Sequence, residues 1–113
     1  MQKCRYISGQ IDIQPQIFYN TAMRFIWDPN KAARNMRRHR IPFEEAIEAF
    51  FDPNAIDDYD ADHSDDETRF QLIGHSHRRL LLVVYSEPQE GTVRLISARK
   101  AKGKYQRIYE RHN

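Results

Sequence analysis

A single cysteine, Cys4, leaves no intrachain disulfide framework to hold the chain. No apolar run approaches membrane-spanning length. The opening Met1-Gln-Lys-Cys-Arg-Tyr lacks the apolar stretch of a secretory signal. The expected compartment is therefore the cytoplasm, with no membrane partner. The four glycines form no phosphate-cradling loop or dinucleotide fingerprint, and no nucleophile elbow occurs. Metal-ligand spacing is equally sparse. His75-Ser-His77 has two histidines two apart, with no cysteine and no spaced third ligand, which reads as a polar hairpin tip. Asp62-His63 is no stronger, so neither a metal nor a cofactor is expected. The last absence is of positive charge. From residue 41 to 68 there is no Lys or Arg, against eleven Asp or Glu.

The opposite block follows at once. Residues 69–113 carry ten basic side chains and three acidic ones. The formal charge of +2 over 113 residues conceals a segregation of +1 for 1–23, +5 for 24–40, −11 for 41–68 and +7 for 69–113. Such blocks create local fields that the near-neutral total hides. The length allows one domain with one modest core. A hydrophobic content of 40%, with six Phe, six Tyr and one Trp, marks a folded chain. Arg, Lys and Tyr at the exposed end of a sheet are suited to gripping a phosphodiester.

Residues 1–22 differ from the rest: Gln recurs, and Pro15 interrupts the alternation of Ile7, Ile11 and Ile13. They read as an N-terminal appendage, the alternative being an extra strand over 7–13. Residues 23–113 form the domain. A short strand at 25–27 leads to Asp28-Pro29, an N-cap followed by proline at the first helical position. The first helix should run 29–39, with Ala32, Ala33 and Met36 as its apolar stripe. A second helix over 42–51 places Phe43, Ala46, Ile47 and Phe50 on one face. An acidic loop, with a short strand at 55–57, precedes strands at 67–74, 80–85 and 92–99. A last helix over 101–111 brings Tyr105, Ile108 and Tyr109 to one side. The fold class is α+β: a mainly antiparallel sheet with two N-terminal helices and one C-terminal helix.

Arg69 and Arg99 are the leading candidates for chemistry, since each guanidinium can give a phosphate two hydrogen bonds. Arg99 ends Leu95-Ile-Ser-Ala-Arg99 and by alternation faces the same way as Leu95 and Ser97. Its plain alternative is an ion pair with the acidic block. Glu67, two residues before Arg69, is either a general base held by its cation or a structural ion pair. His39, ending the basic helix, either serves the helix dipole or transfers protons near neutral pH. Tyr105 and Tyr109 are either core aromatics or residues that stack on a base or donate a proton. Lys31, Arg38, Lys100 and Lys102 join Tyr105 as expected RNA contacts, which would make binding salt-dependent. A rival class is a binding module that grips protein or nucleic acid without cutting it.

A family resemblance rests on spaced motifs. Phe25-Ile-Trp-Asp-Pro-Asn-Lys31-Ala-Ala-Arg-Asn35, Arg38-His39, Phe43-Glu-Glu-Ala46 and Phe51-Asp-Pro53 come first. Asp66-Glu-Thr-Arg69, Ile73-Gly74, Leu81-Leu-Val-Val-Tyr85, Ile96-Ser-Ala-Arg99-Lys-Ala101 and Tyr109-Glu110 follow. Together they resemble the BrnT toxins over about residues 24–110. The resemblance implies a RelE-like fold and an endoribonuclease toxin of a type II toxin–antitoxin system that arrests growth. It also implies a BrnA-like antitoxin that neutralises the toxin and alone binds operator DNA. Metal-independent cleavage is expected, with Glu67 or His39 as base, Arg69 and Arg99 on the phosphate, and Tyr109 or a histidine as acid. The chain departs from the family pattern at three points. Arg40 stands where Gly is usual, Pro42 where Ser or Thr caps the helix, and Tyr105 where Glu is common.

Overall fold

Asp28 and Pro29 act as their chemistry dictates. β3 (Arg24–Trp27) ends, and the Asp28 carboxylate accepts the Asn30 N–H at 2.9 Å, opening α1 (Pro29–His39). The structure, a computed structural model, describes residues 6–7, 10–11, 23–59 and 68–113. Within the first 22 residues it gives an antiparallel pair of two-residue strands, β1 (Tyr6–Ile7) and β2 (Gln10–Ile11). The reading of 1–22 as an appendage otherwise lies outside the described residues, as do most of the acidic loop and Glu67.

α1 closes at Arg40, whose backbone is left-handed (φ 61°) and whose N–H donates to the Met36 carbonyl at 3.0 Å. That conformation suits glycine and costs a side chain with a Cβ. α2 (Phe43–Ala49) is shorter than the 42–51 expected, because extended Pro42 is its N-cap and Phe50 and Phe51 turn off its end. β4 (Ile56–Tyr59), β5 (Arg69–His75), β6 (Leu80–Gln89), β7 (Thr92–Lys100) and α3 (Lys104–Arg111) complete the described order.

The five-stranded sheet runs β3-β7-β6-β5-β4. β3 lies parallel to β7, and the other pairings are antiparallel. α1 and α2 cover one face, where Phe25, Ile41, Phe43, Ala46, Ala49, Leu72, Leu81, Val83, Tyr85, Val93, Leu95 and Ala98 form the core. α2 approaches β5 so closely that a Cβ on Gly74 would lie 2.6 Å from the Ala49 carbonyl oxygen. α3 covers part of the other face, packing Tyr105, Ile108 and Tyr109 on Ile73, Leu82 and Ala101. It starts three residues later than expected. Ala101 still donates to Leu80 at 3.0 Å as an extra ladder bond, and Gly103 (φ 57°) then turns the chain.

Two local patterns depart from the sequence reading. On α1, Ala33 and Met36 are exposed, and Asn35 is buried at 4% exposure. On β7, the register passes from Val84↔Ser97 to Tyr85↔Leu95, so Ile96 is an extra, bulged residue. The bulge inverts the alternation. Leu95 and Ala98 both face the α1–α2 core, and Arg99 is carried to the α3 face, with Ser97 and away from Leu95.

Candidate active site

β3 stops pairing at Trp27↔Leu95, where Asp28-Pro29 takes the chain into α1. Beyond that rung, no strand among the described residues lies on the outer side of β7, so Ala98 needs other partners for its peptide groups. Asn35 supplies them. Its Oδ1 accepts the Ala98 N–H at 3.0 Å, and its Nδ2 donates to the Ala98 carbonyl at 2.9 Å. The second Nδ2 hydrogen goes to the Ile41 carbonyl at 2.9 Å. The carboxamide stands in for a strand residue and ties α1, the α1–α2 connection and β7 together.

His39 lies one turn beyond Asn35 on α1, and Arg99 is the residue after Ala98. The clamp therefore sets two of the candidates, His39 and Arg99, close to each other. Burial, then the positive charges of Arg38 and Arg99, hold the His39 imidazole below the usual histidine pKa. Arg99 also reaches α3, its guanidinium carbon 5.6 Å from the centre of the Tyr105 ring. The Lys104 ammonium lies 5.2 Å from the same centre. The outcome is a partly exposed cluster with a neutral imidazole, an arginine, an aromatic face and further cations. An imidazole kept neutral can take a proton, and the guanidinium can stabilise an anionic oxygen.

The other candidates lie elsewhere. Arg69 is on the same sheet face as Arg99 but near its far end. Arg69 pairs with Ser86 and Arg99 with Leu82, four residues along β6, roughly 13 Å at the usual strand rise. Ser86 also pairs with Arg94, giving a row Arg69, Ser86, Arg94 across three strands. Lys100 follows Arg99 on the opposite sheet face, exposed Lys102 lies in the turn before α3, and half-buried Lys31 sits two turns before His39. Tyr109 is engaged structurally. Its hydroxyl donates to Asp52 at 2.7 Å, and its ring meets His75 at 6.0 Å. Burial and the Asp52 carboxylate raise the Tyr109 pKa, which makes the phenol a weaker acid.

The sequence reading missed Asn35 and Lys104. Asn35 does carry a signal, since it shares a helix face with Ala32 and His39 at i−3 and i+4. The histidines of the β5–β6 hairpin also find partners. His75 N–H donates to Asp52 at 2.8 Å, and the His77 ring meets Glu48 at 2.7 Å. Beside them, buried Glu45 binds Arg79 and Ser76. Among the described residues no helix is long and apolar enough to cross a membrane.

Residues 27–104 match the family model described as the ribonuclease toxin BrnT of type II toxin–antitoxin systems. Among solved structures, the 1.1 Å crystal structure of the Brucella abortus ribonuclease toxin BrnT is similar, with 22% identity and a TM-score of 0.50. The similarity covers 72% of this chain and 99% of that one, and it concerns the fold. No curated protein sequence matches the chain at a significant level.

Proposed function

The chain belongs to the BrnT family of ribonuclease toxins of type II toxin–antitoxin systems, and from that premise we propose that it cuts RNA at the cluster of His39, Arg99 and Tyr105. The observation that carries this reading is the meeting of a neutral imidazole, a guanidinium and a half-buried aromatic ring at the open end of β7. His39 takes the proton of a ribose 2′-hydroxyl. The 2′ oxygen attacks the adjacent phosphorus, forming a 2′,3′-cyclic phosphate and breaking the bond to the 5′ oxygen, which takes a proton from solvent. Arg99 stabilises the extra charge on the phosphate oxygens in the transition state. Tyr105 offers its ring to a base beside the scissile bond. Arg69, with Arg94, holds a phosphate farther along the strand, and Lys31, Arg38, Lys100 and Lys102 add sequence-independent attraction. No step requires a metal. A BrnA-like antitoxin neutralises the protein in the cytoplasm and alone contacts operator DNA.

The test is cleavage of a single-stranded RNA by purified protein, with and without excess EDTA. Arg99→Ala should lower kcat by about 10²-fold or more while the protein stays folded. Arg69→Ala should mainly raise KM. Wild-type kcat in a folded Arg99→Ala variant sinks the site assignment, and RNA binding with no products sinks the enzyme reading. Complete loss of activity in EDTA overturns the metal-independent step.

A further inference from the structure

We infer that Asn35 is a positioning residue for the reaction, a clamp that fixes the helix carrying His39 against the strand carrying Arg99. This inference rests on the cleavage reading above, but its geometry stands by itself. An asparagine carboxamide has one acceptor oxygen and two N–H donors. All three are used at 2.9–3.0 Å, on both peptide groups of Ala98 and on the Ile41 carbonyl. The pattern also fixes which way the amide points. Exchanging its oxygen and nitrogen would set donor against donor at the Ala98 N–H and acceptor against acceptor at both carbonyls.

The placement is specific to the site. Packing alone would let α1 slide along the sheet, because the helix face near Ala98 offers only small apolar contact: Ala32 is half-buried, and Ala33 and Met36 point to solvent. The directional element is Asn35. It binds the residue immediately before Arg99, and His39 follows it by one helical turn. A shift of α1 against β7 therefore changes the spacing of imidazole and guanidinium directly. Displacements of about 1 Å in a catalytic constellation cost on the order of 10²-fold in rate.

The groups that act on His39 give the clamp a readout that a merely structural role would not move. Arg38 sits on α1 itself and travels with His39, whereas Arg99 lies across the junction on β7. Loosening the junction weakens the influence of Arg99 and leaves that of Arg38.

The experiment is a histidine NMR titration of the full chain, with the His39 signal assigned through His39→Gln. It is run on wild type, Asn35→Ala and Asn35→Asp. The aspartate variant keeps an acceptor for the Ala98 N–H and, once ionised, loses both donors. The His39 midpoint should move upward in both variants, toward the free-histidine value of about 6.5. kcat for RNA should fall by about 10²-fold, with KM little changed because the phosphate-binding cations remain. In wild type, the side-chain amide protons of Asn35 should exchange slowly with solvent. An unmoved His39 midpoint in either folded variant overturns the clamp, as does rapid exchange of the wild-type amide. An unmoved kcat beside a shifted midpoint overturns the positioning role. A shifted midpoint in Asn35→Ala, which adds no charge beside His39, together with normal cleavage by Arg99→Ala, leaves the clamp standing and places the fault in the cleavage reading.

Discussion

Replacing Glu45 by glutamine should cost about 2–4 kcal/mol of folding stability at neutral pH. Glu45 is 5% exposed, and its carboxylate accepts Arg79 Nη2 at 2.7 Å, Arg79 Nε at 2.9 Å and Ser76 Oγ at 2.7 Å. Glutamine keeps the shape but turns one oxygen into a donor. Whichever way the amide sits, it confronts either Nη2 or the Nε and Ser76 pair. One or two charge-assisted bonds are lost, each contributing about 1.5–3 kcal/mol, and the guanidinium loses its counter-charge. Breaking a fully buried pair from one side costs about 3–5 kcal/mol. That ceiling is not reached, since the Arg79 side chain keeps 22% exposure and can turn toward water. The acid limb provides a second check. The Arg79 hydrogen bonds, opposed by burial and aided by Ser76, hold the Glu45 carboxyl below its ordinary value. Its folded pKa thus lies below the unfolded value of about 4.3, so its stabilisation is present above that pH and is lost as pH falls through the folded pKa. Urea unfolding from pH 7 down to pH about 3 measures both effects, and the variant should lose less stability than wild type below pH about 4.3. A neutral-pH loss under about 0.5 kcal/mol, within the range of an exposed pair, refutes the reasoning. So does an acid profile identical to wild type.

Arg40→Gly should raise stability by about 0.5–1 kcal/mol, because relief of the left-handed strain at φ 61° exceeds the added freedom of the unfolded chain. Thermal unfolding reads this, and a lower Tm counts against it. Tyr109→Phe removes the 2.7 Å bond to Asp52 and should cost about 1–2 kcal/mol, with RNA cleavage kept within a few-fold. Loss of cleavage in that variant, with the fold intact, would restore Tyr109 as the acid. The cleavage rate should fall with pH only below the ordinary histidine value of about 6.5, since burial, Arg38 and Arg99 all favour neutral His39 and the base must be neutral to accept a proton. Arg99→Gln should move the His39 NMR midpoint upward, and a midpoint unchanged by that substitution removes the electrostatic coupling.

Short-range chemistry made much of this fold legible. The Asp28-Pro29 cap and the break before Pro42 set α1 at Pro29–His39, as the residues alone dictate. The continuous apolar run of β6 announced a central strand, covered on one face by the α1–α2 core and on the other by α3. What stayed hidden depends on partners distant in sequence. Nothing in Phe25-Ile-Trp27 says that it pairs in parallel with residues 93–95. The face of Arg99 follows from Ile96, which alternation treats as an ordinary strand residue and which the ladder leaves over. Asn35 looks like one more polar residue on a basic helix until its carboxamide is seen on Ala98, past the last rung that β3 makes with β7. Guanidinium chemistry paired Arg69 with Arg99, but strand order sets them on β5 and β7 with β6 between.

The places where local rules fail lie close together. Arg40 holds a glycine conformation, Asn35 buries a polar side chain on a helix, and Ile96 breaks a ladder. All three sit where the end of α1 meets the end of β7, and two of them depend on each other. The bulge turns Arg99 to the α3 face, toward Tyr105, and Ala98 stays in the core, at a level β3 no longer reaches. An unbulged β7 would put Arg99 among Leu95 and Phe25, where an unpaired guanidinium is not tolerated. A bulged β7 without Asn35 would leave an N–H and a carbonyl of a fully buried residue without partners, at about 1–3 kcal/mol each. The carboxamide is thus the condition for exposing Arg99 at this edge. Irregularities of this kind gather where a fold presents chemistry, and the Ile96 bulge and the Asn35 clamp both lie beside the proposed His39–Arg99 site.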